Sequence, residues 1–356
     1  MEAYGDQPIS LRLWCPLPSS IAPHDEVFTE RTRQWMYGFG FGNDACHRKR
    51  IHAMRTGELL CRWASHGSEE GIQIASDWVC LGLFLDDELF DTGPLRDRPE
   101  ELLPIMHRIH YAAENPEAST GSDPFVAAMR ELSVRIRAIS PPATAQRWSD
   151  GVARWFLGAA CIAGYRARRC LPSLDDYLVI GLADRGSQVS VALIEIAEQT
   201  PLPADLHGAA DARAVFQTAS LLVLLLSDLY SYPREADHGA LESNIIAILM
   251  RQNQYLLSQA LADVIGLWNQ LMRIYLELRV RANDTGDPGA ICYVRQLDQW
   301  IRGNADWHPR APRYNTNLHN APPFTIALHE QDIPDNDVAA ASVHGLGWLT
   351  AAGVER

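Results

Sequence analysis

Apolar residues recur at three- and four-residue spacing along most of this chain, a period that few structures other than packed helices can use. The pattern holds over Thr56–Trp63, Ile72–Phe90, Leu102–Ala113, Pro124–Ile139, Thr144–Ala163, Leu174–Gln199, Ala209–Tyr232 and Asn244–Arg281. Clusters of Gly, Pro, Asp and Asn separate the segments, as at 91–99, 115–123, 141–142, 200–203 and 283–289. No block of alternating residues is long enough to demand a sheet. The expected fold is therefore all-α, one helical bundle of roughly ten helices around a central apolar cavity. Pro8, Pro16, Pro18 and Pro23 mark residues 1–25 as an irregular arm. Residues 26–316 form the expected domain. Residues 317–356, with Pro322, Pro323 and Pro334, read as a loosely structured tail.

Hydrophobic residues make up 47% of the 356, enough to fill such a core. The formal net charge of −13 disfavours a nucleic-acid partner. It also means that a bound polyanion must meet locally supplied positive charge. Seven cysteines, an odd number without CxxC spacing, argue against a disulfide framework or zinc site and suit a reduced, cytoplasmic setting. The N-terminus does not read as a signal peptide, and no charge-free apolar stretch reaches 18 residues, so no integral membrane segment is expected.

Three runs carry chemistry. In LGLFLDDELFD, residues 81–91, an apolar helix delivers Asp86, Asp87, Glu88 and Asp91 to its end. Acids there oppose the helix dipole and lose hydration, which a cation compensates. At 100° per residue Asp87 and Asp91 share a face. Clustered carboxylates suit Mg²⁺, a hard ion that shares its oxygen ligands with substrate phosphates. The second run, SDLYSYPRE at 227–235, follows the apolar stretch 221–226. Ser227, Ser231 and Glu235 fall on one stripe, Arg234 lies beside them, and Pro233 should kink the helix. The third, WIRGNADWHPRAPRY at 300–314, ends in Arg313 and Tyr314, which can clamp an anion. Each run has a plainer reading, as a solvated helix end, a polar stripe or an ordinary loop. The three together outline two oxygen-ligand walls facing a diphosphate.

In this combination the chain resembles the microbial class I terpene synthases over about residues 12–316. DDELFD is similar to their aspartate-rich motif, SDLYSYPRE to their second metal motif, and Arg313–Tyr314 to their C-terminal Arg–Tyr pair. GNADW at 303–307 and HGALESNIIAI at 238–248 resemble flanking segments. The resemblance implies three Mg²⁺ ions. Asp86 would be the principal ligand of the first site, with Asp87 and Asp91 assisting. Ser227, Ser231 and Glu235 would form the second, with serine where asparagine is usual. Arg234, Arg313 and Tyr314 would hold the diphosphate. A further arginine is expected about 46 residues before the second motif, yet that register holds Gly181, and Arg185 is the candidate to replace it. Trp78, Phe84, Phe90, Tyr230 and Trp307 are candidates to line the cavity and stabilise a carbocation.

The implied activity is ionisation and cyclisation of a linear isoprenyl diphosphate, farnesyl diphosphate first, with geranyl and geranylgeranyl diphosphate left open. A homodimer is common in such proteins. The rival readings are a chain-elongating isoprenyl diphosphate synthase, which should carry two aspartate-rich motifs, and a non-catalytic diphosphate-binding relative, which Ser227 and Gly181 would suit.

Overall fold

The computed structural model describes residues 8–203, 206, 208–315 and 323–331. Strand β1 (Ile9–Trp14) precedes α1 (Asp25–Gly38), α2 (Ala45–Met54), α3 (Thr56–Trp63) and α4 (Glu69–Leu85). A single wide turn, Asp86–Asp91, extends α4. Then follow α5 (Pro99–Glu114), α6 (Pro124–Ile139), α7 (Pro142–Ala167), α8 (Leu174–Asp184) and α9 (Ser187–Glu198). The chain continues with α10 (Ala210–His238), α11 (Ile245–Asn253), α12 (Leu257–Asp284), α13 (Pro288–Trp307), α14 (Pro312–Asn315) and β2 (Phe324–His329).

The all-α reading stands, with corrections. Residues 174–199 are two helices, because Arg185 ends α8 and Gly186 enters α9 at φ 63°, outside helical backbone. Residues 244–281 also divide, at Gln254, whose φ is 55°. α10 continues through Pro233 to His238.

The arm and tail are not merely irregular. β1 and β2 pair in parallel, Ile9 opposite Phe324 through Trp14 opposite His329. Leu13 and Trp14 are buried, and Trp268 Nε1 on α12 donates to the Trp14 carbonyl at 2.7 Å. The ribbon thus packs on the helical domain, so 26–316 undercounts the chain that builds it. Parallel pairing across so long a separation leaves no hairpin signal in the sequence.

The core helices are α4 and α10. In α10, residues 221–226 are all buried. Among the described residues α10 is also the one helix long and apolar enough to cross a membrane, but 78% of its apolar window is buried inside the fold. It is a core helix. All seven cysteines are unpaired.

Candidate active site

Helix α4 reaches the site because its capping and composition favour a long buried rod. Ser68 Oγ accepts the Gly71 N–H at 3.1 Å, and Glu69 and Glu70 sit in the first turn, where the helix dipole favours acids. Its cavity-facing stripe is Trp78, Val79, Gly82, Leu83 and Asp86. The backbone then widens. Thr92 N–H donates to the Asp87 carbonyl at 3.2 Å, an i to i+5 bond, and Thr92 Oγ1 donates to the same oxygen at 2.6 Å. A regular α-helix would set Asp86 and Asp91 about 140° apart. The wide turn brings them together, and Asp86, Asp87 and Asp91 each place an oxygen within 4.8 Å of the others. Gly93 permits the exit, since a Cβ there would lie 1.7 Å from the Glu88 carbonyl oxygen. Glu88 points elsewhere, to Arg50 and to His47 at 3.6 Å.

The three acids have different surroundings. Asp86 and Asp91 line the cavity, while Asp87 is buried behind them. Asp87 Oδ1 accepts from Arg234 Nη1 at 2.9 Å and Oδ2 from Arg313 Nη1. Burial pushes its carboxyl up, but the two guanidinium groups outweigh this and hold it well below the usual range. Asp86 moves the opposite way, raised by burial and by the like charges of Asp91 and Asp87. Asp91 pairs with Arg166 at 3.1 Å and Arg234 at 3.5 Å.

The opposing wall is α10. Val223, Ser227, Ser231, Arg234 and Glu235 line the cavity. Ser231 Oγ is buried beside the Glu235 carboxylate and makes no well-formed hydrogen bond among the described residues. Glu235 Oε2 accepts from Asn244 Nδ2 at 2.8 Å. Burial pushes the Glu235 carboxyl up to about 7, against the attraction of Arg185 and with the repulsion of Asp228 and Asp91. An orphaned hydroxyl beside an under-compensated carboxylate fits a divalent cation, as does the elevated Asp86 across the cavity.

Arg185 lines the cavity, yet three acceptors hold it: Asp184 at 2.9 Å, Asp228 Oδ1 at 2.7 Å and the Ser243 carbonyl. Asp228 is fully buried and also receives the Tyr177 hydroxyl and the Ile245 N–H at 2.7 Å. The guanidinium is therefore committed to fixing the loop after α10. Gly181 faces Leu224, where even a Cβ would approach to 2.9 Å. No larger side chain fits there without repacking α10.

Arg313 and Tyr314 stand on α14. Tyr314 packs between Trp307, at 5.6 Å, and His308, at 4.9 Å. His308 Nδ1 donates to the Asn304 carbonyl at 2.7 Å, and burial lowers its pKa to about 4, so it is neutral.

The aromatic expectations divide. Trp78 and Trp307 line the cavity. Phe84, Phe90 and Tyr230 are not among its lining residues. Phe84 packs against Phe41 at 5.4 Å, Phe90 against Trp155 at 5.6 Å, and Tyr230 stacks on His308 at 5.1 Å. The actual wall includes Trp63, Trp155 and Trp300. Extending the helical stripes backward from Asp86 and Glu235 would have excluded Phe84 and Tyr230. Arg166, Trp63 and Trp155 come from segments outside the three runs and had no local signal, whereas Asn244 lies nine residues beyond Glu235 within 238–248 and Trp300 opens the third run. The cavity volume is about 150 Å³, below the ~300–1,000 Å³ typical of ligand pockets, so a bulky substrate requires the walls to move apart.

A helical domain with two carboxylate-bearing walls, buried arginines and a tryptophan-lined cavity defines a class I terpenoid-synthase site. Residues 77–274 match the family described as terpene synthase family 2, C-terminal metal binding. The chain belongs to this family: it is a bacterial-type class I terpene synthase, a lyase acting on diphosphates. It is 27% identical over 304 residues to spiroviolene synthase of Streptomyces violens, covering 85% of this chain and 84% of that one. It is 26% identical over 311 residues to 4-epi-cubebol synthase of Streptosporangium roseum, a farnesyl diphosphate-cyclising enzyme, covering 87% and 93%. Among solved structures, the ancestrally reconstructed SVS_A2 protein superposes with TM-score 0.80 at 26% identity, covering 97% of this chain and 99% of that one.

Proposed function

We propose that this enzyme binds Mg²⁺ on both walls and ionises farnesyl diphosphate, closing the resulting carbocation to a cyclic hydrocarbon or alcohol. One observation carries the reading. Asp86 and Asp91 face Ser227, Ser231 and Glu235 across a single cavity whose remaining surface includes five tryptophans. When bound, Mg²⁺ would neutralise charge on the departing diphosphate. Asp86 and Asp91 would hold it on one wall, and Ser227, Ser231 and Glu235 on the other.

The chain's own groups do the rest. Arg234 and Arg313 now share Asp87, so they are poised 2.9 Å or less from an oxygen that a diphosphate oxygen can replace. Tyr314 supplies a hydroxyl next to Arg313. Departure of diphosphate leaves an allylic cation among Trp63, Trp78, Trp155, Trp300 and Trp307, whose ring faces stabilise positive charge by ~2 kcal/mol or more when desolvated. The same rings exclude water from the folding chain. The farnesyl assignment rests on similarity to the farnesyl diphosphate-cyclising relative.

Incubation with geranyl, farnesyl and geranylgeranyl diphosphate plus Mg²⁺, followed by gas chromatography and mass spectrometry, tests this. Cyclic sesquiterpenes from farnesyl diphosphate, abolished by EDTA and restored by Mg²⁺, are expected. Product from only the shorter or longer diphosphate overturns the substrate. Absence of turnover on all three overturns the enzyme reading.

A further inference from the structure

A second recess lies on the other side of Arg166 from the catalytic cavity. Its wall comes from the loop after the wide turn (Arg96, Asp97), the end of α7 (Arg166, Arg169), and α11 (Arg251). Four arginines gather there with only two acids, Asp97 and Glu242, in a chain with 44 acidic and 31 basic residues. Arg166 binds Glu242 at 3.2 Å. Among the described residues the Arg96 guanidinium donates only to the Asp91 carbonyl, at 3.4 Å. Arg169 and Arg251 make no ion pair among the described residues.

The backbone adds an independent observation. α7 ends in a Schellman arrangement: Cys170 N–H donates to the Tyr165 carbonyl at 3.2 Å and Arg169 N–H to the Arg166 carbonyl at 2.9 Å. The residue between must be left-handed, and Arg169 has φ 53°. Glycine is the default at this position, because any Cβ is disfavoured there. This turn carries Arg169 to the wall of the recess beside the other three arginines.

We infer that this recess is a second anion site that takes inorganic diphosphate outside the catalytic cavity. The ligand class follows from the guanidinium cluster, which suits multivalent phosphate oxygens. The assignment to the released product rests on the proposed reaction. Arg166 links the two sites: it holds Asp91 Oδ1 at 3.1 Å and the Phe90 carbonyl while also lining the recess. Diphosphate in the recess competes with Asp91 and Glu242 for that guanidinium, so its occupancy weakens the first metal wall without blocking the substrate.

The test is calorimetric titration of the full chain with inorganic diphosphate in the absence of divalent metal. Arg169→Gln with Arg251→Gln, both exposed, is expected to lower affinity at one site at least tenfold. Arg313→Gln leaves that site unchanged, and Arg251→Gln alone gives an intermediate loss. Thermal melts identify any variant that fails to fold, and the single variant then decides. With substrate present, the double variant is expected to lose the non-competitive part of diphosphate inhibition while its turnover persists. Equal diphosphate binding by wild type and the double variant overturns the inference. So does loss of binding to phosphatidylglycerol vesicles with diphosphate binding intact, which makes the recess a membrane-facing patch. The titration needs no turnover, so it can fail or succeed independently of the proposed reaction.

Discussion

The two walls of the cavity handle charge in different ways. On the aspartate wall, three arginines already compensate the acids: Arg234 and Arg313 on Asp87, and Arg166 and Arg234 on Asp91. On the serine wall, among the described residues, Glu235 has one direct amide donor, from Asn244, and Ser231 Oγ lies beside the carboxylate without a well-formed hydrogen bond. The aspartate wall is pre-charged and can exchange a carboxylate for a diphosphate among fixed cations. The serine wall is under-compensated and gains most from a cation.

The largest expected effect breaks the aspartate wall. Asp86 lines the cavity, and among the described residues its one ion pair is a long one, to Arg313 at 3.9 Å. Asp86→Ala is expected to lower kcat by ~10²–10³-fold or more, as for loss of one preorganised electrostatic contact. Steady-state kinetics under saturating Mg²⁺ measure this. Retained turnover would mean that Asp87 or Asp91 carries the metal and that the wide turn does not set the ligand order.

The next effect concerns stability. Arg185→Gln leaves fully buried Asp228 without its cation, a change worth about 3–5 kcal/mol. A lowered Tm in the metal-free protein should accompany any loss of activity. Lost diphosphate affinity at unchanged Tm would instead return Arg185 to the role of anion sensor.

How much could be read in advance follows the same divide. Ser227, Ser231 and Glu235 were legible because helical spacing places them on one face without help from the rest of the chain. Asp86 and Asp91 were legible as acids ending an apolar helix, although only the wide turn brings them onto one face. Asp87 was legible as an acid but not as the anchor of two arginines, which arrive from 147 and 226 positions away. Arg166 reaches Asp91 across 75 positions, and no local pattern distinguishes it from its neighbours Arg168 and Arg169. The widening at Asp86–Asp91 was invisible because it is a change of hydrogen-bond register, and its one trace in the sequence is Gly93.

A smaller effect, in pH dependence, sharpens the comparison. Glu235 is raised to about 7 in the folded, metal-free protein and lies near 4.5 when unfolded. Between those values the folded state holds a proton that the unfolded state lacks, so stability is present below about 4.5 and is lost as pH rises through about 7. The size is on the order of 3 kcal/mol. Metal-free melts from pH 5 to 8 should fall, and Glu235→Gln should flatten the slope. Asp86 and Asp228 are also raised and add to it in the same direction. A slope unchanged in Glu235→Gln would move the titration to those groups.

The smallest effect is expected at Ser227. Its hydroxyl lines the cavity four residues before Ser231 on one helical stripe, but it is shorter than the amide that the family resemblance implies. Asparagine brings a carbonyl oxygen farther from α10, toward the position a cation shared with Ser231 and Glu235 would occupy. Ser227 is only partly buried, so the larger side chain has space to enter. Ser227→Asn should therefore keep kcat within about threefold and lower the Mg²⁺ concentration for half-maximal rate by about 2- to 10-fold, as one added ligand interaction of ~0.5–1.5 kcal/mol would give. Mg²⁺ titration of initial rates measures this. Complete loss of turnover would mean that Ser227 Oγ is required in its present place, and that the serine wall is matched to a different metal geometry from the one asparagine supports.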